Sequence, residues 1–164
     1  MNIKLYQLDK LLKNFIIAFL TLLTIALIVG LLFLMESSNS SVKGTVDRWN
    51  GSEVSENTDS FAIAEEYPKQ ISEMLLTTHN HLFGFAFIFG SIGFIFYFNS
   101  IVTGFIKKFL LIEPFISAVV TFGSIWLMRF YNDLFVYLAL LSAIVMYLSY
   151  FIMYFVCMYE LKFK

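Results

Sequence analysis

The stretch FIIAFLTLLTIALIVGLLFL, Phe15 to Leu34, is twenty consecutive residues without a charge. A helix rises about 1.5 Å per residue, so about 20 residues cross a hydrocarbon core about 30 Å thick. The run therefore reads as a transmembrane helix. Lys4, Lys10 and Lys13 precede it, as they would in a secretion signal. The run is longer than the apolar core of such a signal, about 7–15 residues, and Glu36-Ser-Ser-Asn follows instead of a small-x-small cleavage site. It is read as an uncleaved anchor.

Three further runs repeat the pattern. Met74 to Ile106 is uncharged, with its core at His79 to Phe98 and its end marked by Asn99 and Ser100. The third runs from Phe109 to Met128, interrupted by Glu113-Pro114 and closed by Arg129. The fourth runs from Leu134 to Cys157 and is closed by Glu160 and Lys162. The short link Phe130 to Asp133 makes the last two spans antiparallel neighbours. The expectation is an all-α integral membrane protein of one domain, residues 1–164. Its four spans, about 15–34, 77–98, 109–128 and 134–157, form an antiparallel bundle with an outer loop at 36–70.

Composition agrees. The 164 residues are 59% hydrophobic, 19% aromatic and 14% charged, whereas a soluble domain is about 45–50% apolar and about a quarter charged. That excludes a disordered chain, a coiled coil and a disulfide scaffold. With 11 Lys and Arg and a net charge of -1, no basic patch is available, so nucleic acid is not an expected partner. The single cysteine, Cys157, excludes an intrachain disulfide and paired-thiol redox chemistry.

Seven lysines orient the bundle. Lys4, Lys10, Lys13, Lys107, Lys108, Lys162 and Lys164 share one side if both termini are cytoplasmic, as the positive-inside rule requires. The expected location is the bacterial inner membrane. The opposite side carries the hydrophilic loop. Its first half, Ser37-Ser-Asn-Ser-Ser with Gly44 and Gly51, reads as loop. Its second half, Phe61 to Tyr67, reads as a short surface helix. A solvated connector is favoured over a ligand-binding cap.

Polar groups in an apolar chain mark candidate chemistry. Thr77-Thr78-His79-Asn80-His81 stands at the outer end of the second span and holds both histidines of the chain. Each helical step turns about 100°, so the two rings point about 200° apart. A regular helix cannot aim both at one metal. Either the segment is unwound, or one ring faces the core and the other meets another element or subunit. Thr77, Thr78, Asn80 and Glu73 are candidate orienting partners. His79, Phe83, Ala86, Gly90, Gly93 and Tyr97 form a stripe with small members, suited to a close helix or a flat cofactor.

Glu113-Pro114 reads as a helix start, with proline in the first turn and the carboxylate at the positive end of the helix dipole. Arg129 and Asp133 are spaced to pair across the outer turn. The methionines, Met74 and Met128 included, read as core filler rather than axial ligands. No phosphate-binding glycine loop, nucleophile elbow or His-Glu-x-x-His occurs, so catalysis is not expected. No buried carboxylate is read mid-span, which argues against an ion-coupled transporter.

Thr78-His79-Asn80-His81-Leu82-Phe83-Gly84, followed by Gly90 and Gly93, resembles a segment of small bacterial membrane proteins related to the large subunit of haem–copper oxidases. The resemblance covers roughly twenty residues. It implies that His79 and His81 are ligands for haem or copper. A complete oxidase core needs more histidines than this chain has. The resemblance therefore implies an accessory or binding subunit of a respiratory-type complex, working with other membrane subunits or as a homo-oligomer. The alternative is a structural or assembly subunit without a cofactor.

Overall fold

The computed structural model describes residues 4–52 and 66–164. After one tight turn at Leu5–Gln7 come α1 (Lys10–Ser37), α2 (Val42–Asn50), α3 (Ile71–Tyr97), α4 (Gly104–Phe130) and α5 (Phe135–Phe163). The helices α1, α3, α4 and α5 are long and apolar enough to cross a membrane. The chain is an all-α integral membrane protein, as the uncharged runs require. At 27–29 residues each helix is about 40 Å long, so it outruns the hydrocarbon core and continues into the headgroup layers. Charges mark where hydrocarbon ends, not where hydrogen bonding ends, which is why the helices exceed the expected spans.

The hairpin α4–α5 is the most closely packed pair. Leu110, Glu113, Ser117, Thr121, Ser124 and Met128 of α4 are buried, as are Val136, Ala139, Ser142, Met146, Ser149 and Met153 of α5. Both sets recur every three or four residues, the seam of a left-handed bundle. Small residues on that seam bring the backbones close, and in lipid such packing replaces the hydrophobic drive. Thr121 Oγ1 and Ser142 Oγ lie 2.8 Å apart across it. The third helix, α3, adds Phe89, Ile92 and Phe96 to the core. Helix α1 is peripheral. It buries Leu20, Thr24 and Leu27, and Thr24 Oγ1 lies 2.9 Å from the Tyr150 hydroxyl of α5.

The first half of the connector, expected to be loop, contains α2, a correction. Ser41 caps this helix by accepting the Gly44 N–H at 2.9 Å. Gly44 and Gly51 misled because glycine marks loops, yet each serves close packing here. A Cβ on Gly44 would stand 2.0 Å from the Ser38 carbonyl oxygen. Gly51 ends α2 at φ +87°, and a Cβ there would meet Pro68 at 2.7 Å. Past Gly51 the chain is tied to the segment before α3: Ser52 N–H donates to the Glu66 carbonyl at 2.9 Å and Lys69 N–H to the Trp49 carbonyl at 3.0 Å. The helix expected from Phe61 lies outside the described residues.

At the opposite end, which carries both termini, Asn99 folds the α3–α4 turn. Its Oδ1 accepts from Ile101 N–H at 3.0 Å and Val102 N–H at 2.7 Å, and its Nδ2 donates to the Phe96 carbonyl at 2.5 Å. The Glu160 carboxylate, fully buried, accepts the Ser100 N–H at 2.7 Å and locks this turn onto the end of α5.

Candidate functional site

The histidine segment lies in the second and third turns of α3, which is regular helix through both rings. Unwinding is therefore ruled out, and the structure does not bring His79 and His81 together. His79 is exposed and stacks on Phe83, centroids 6.1 Å apart, along the face that looks away from the bundle. Gly84 and Gly90 have open space beside them, and of these glycines Gly93 meets a neighbour, Leu111 at 3.5 Å, among the described residues.

His81 is exposed as well, but its ring has neighbours on the bundle. Its ring packs 5.3 Å from Phe122 of α4 and 6.2 Å from Phe85. Its Nδ1 is 2.8 Å from the Thr77 carbonyl oxygen. A carbonyl oxygen only accepts, so Nδ1 carries a proton, and in the neutral ring Nε2 is the acceptor nitrogen. That is one of the two tautomers in which a histidine can bind a metal, with its second nitrogen held by a carbonyl. Of the four expected orienting residues, Thr77 acts, through its backbone. Thr78 Oγ1 instead accepts the Trp126 Nε1–H at 2.9 Å, pinning α3 to α4 beside the ring. Glu73 turns back to the Gln70 N–H at 3.4 Å. Met74 and Met128 are both core residues. Among the described residues no three His, Cys, Asp or Glu side chains converge for a metal ion.

Arg129 and Asp133 do not pair as expected. Asp133 Oδ1 accepts from Asn50 Nδ2 at 2.6 Å, because α2 folds down onto the α4–α5 turn. The Arg129 guanidinium lies 5.2 Å over the Phe130 ring. Beside α2 a cavity of about 480 Å³ of mixed polarity is lined by Arg48, Glu66, Lys69 and Glu73 together with Trp49 and Leu76. Arg48 donates to Ser37 Oγ and sits 5.2 Å from the Phe33 ring. Burial pulls its guanidinium below its ordinary value, and Glu66 opposes that shift. The described part of the loop thus folds over the histidine end of the bundle.

Glu113 is the largest departure from expectation. It is not at a helix start: α4 begins nine residues earlier, and Pro114 lies inside it. The carboxylate is buried and accepts from Ser117 Oγ of its own helix and from Ser149 Oγ of α5, the latter at 2.5 Å. The chain therefore does hold a carboxylate within a span. The signal was present in Ser117, Thr121 and Ser124, polar residues at helical spacing from Glu113 in an otherwise apolar helix.

Residues 39–164, more than three-quarters of the chain, match the Aq_1264_TM family model, a transmembrane helical domain. The chain belongs to that family. The match takes in α2 to α5, the cap and the histidine segment, and α1 precedes it. No curated protein and no solved structure matches the chain.

Proposed function

We propose that this chain is an accessory subunit of a larger, respiratory-type membrane assembly, in which His81 offers one ligand to a haem or copper centre completed by a neighbouring subunit or a second copy. The observation that carries the reading is the His81 Nδ1–H to Thr77 carbonyl bond of 2.8 Å, with no hydrogen bond to Nε2 among the described residues. His79, on the opposite side of α3, contacts the partner surface. The resemblance of Thr78 to Gly84 to proteins related to the haem–copper oxidase large subunit supports the choice of centre. The orientation proposed is both termini cytoplasmic in a bacterial inner membrane, supported by Lys4, Lys10, Lys13, Lys107, Lys108, Lys162 and Lys164 lying at one end of the helices. The test is affinity purification from native membranes in mild detergent, followed by a visible spectrum and metal analysis. A haem band or stoichiometric copper supports the reading; neither, with partners co-purifying, refutes it.

A second reading is an assembly subunit without a cofactor. It is favoured by the packing of His81 near Phe85 and Phe122, which with the Thr77 bond already gives the ring a structural role. On that reading His81→Phe preserves partner capture.

A further inference from the structure

We propose that the crevices flanking the first turns of α1 bind one anionic phospholipid, its acyl chain against α3 and its phosphate on lysines facing α5. Helix α1 makes its main contacts with α5 and α2. Toward α3 it leaves an apolar groove of about 500 Å³, walled by Leu12, Phe15 and Phe19 on one side and Phe94, Ile95 and Phe98 on the other. Leu12 to Phe19 is about 10 Å of helix, most of one leaflet's half of a hydrocarbon core about 30 Å thick. The groove thus has the polarity and length of an acyl chain.

A second cavity, about 570 Å³, opens on the other flank of α1 and is lined by Lys10, Lys13, Asn14 and Lys162. Leu8 borders both cavities, so both open at the start of the helix. The lysines are poorly explained by helix stability. Two of them sit at the positive end of the α1 dipole, and the first turn has no acidic residue. The nearby acids each hold a backbone N–H through one oxygen: Asp9 caps the Leu12 N–H at 3.0 Å, and buried Glu160 takes the Ser100 N–H. A phosphodiester offsets this concentration of positive charge, and basic pockets between membrane helices select anionic headgroups for that reason. The lipid fills the gap between α1 and the rest of the bundle.

The full chain is purified in detergent, and bound lipid is read by native mass spectrometry and thermal unfolding. Phosphatidylglycerol and phosphatidylcholine with identical chains are compared. The expected result is one retained phosphatidylglycerol, preferred by about tenfold or more. K10Q/K13Q/K162Q abolishes the preference, and Phe15→Ala with Phe94→Ala weakens both lipids. These side chains are exposed or half-buried, so the variants keep the fold. Equal binding of the two lipids by the native chain, a preference that survives the lysine substitutions, or equal stabilisation by inorganic phosphate alone would overturn the proposal.

Discussion

Glu113 of α4 and Ser149 of α5 are joined by a 2.5 Å hydrogen bond inside the bundle. The contact links the two most closely packed helices across their seam. A carboxylate among apolar side chains is costly unless its oxygens are satisfied, and Ser117 and Ser149 satisfy one oxygen each. Ser149→Ala should therefore destabilise the protein by about 0.6–1.7 kcal/mol, the range for hydrogen bonds between membrane helices. Glu113→Ala should cost about 2 kcal/mol, since it strands two donors. Glu113→Gln should be nearly neutral. Unfolding in detergent measures all three, and an Ala variant as stable as the native chain would mean the seam is held by packing alone.

Thr24 and Tyr150 couple the peripheral α1 to α5 through one hydroxyl pair. Thr24→Val and Tyr150→Phe should each cost about 0.6–1.7 kcal/mol. The double variant should cost no more than the larger single effect, because both remove the same bond. Additive losses in the double-mutant cycle would show that the two hydroxyls act independently.

Asn99 makes three hydrogen bonds in the α3–α4 turn while fully buried. Asn99→Ala leaves two backbone N–H groups unpaired, each worth about 1–3 kcal/mol when buried. The expected loss is about 2 kcal/mol or more, with faster hydrogen exchange at Ile101 and Val102. Unchanged exchange there would place the stability of the turn elsewhere.

Gly51→Ala places a side chain at φ +87° and against Pro68. Strain of this kind costs about 1–3 kcal/mol. The cap should become sensitive to protease between α2 and α3 while the spans keep their helical content. A cap as resistant as the native one would show that Pro68 yields.

The four spans were legible because uncharged runs of this length have one economical solution in lipid. The antiparallel α4–α5 pair was legible from the brevity of its link. Helix α2 was hidden because Gly44 and Gly51 carry loop statistics, and only the approach of Ser38 and Pro68 shows why glycine stands there. Glu113-Pro114 was misread because proline at a helix start is the rule in water, whereas a membrane helix tolerates it inside when neighbours re-satisfy the backbone. The divergence of the two histidines was legible from helical geometry. The choice between them was not, since it depends on Phe122 and Thr77 meeting one ring and not the other.

That choice gives the most direct test. The assembly is isolated from native membranes carrying the native chain, His79→Ala or His81→Ala, and the visible spectrum and metal content are recorded per chain. The account predicts a haem band or bound copper in the native assembly, kept in His79→Ala and lost in His81→Ala while the same partners co-purify. A His81→Ala assembly with undiminished cofactor would contradict it.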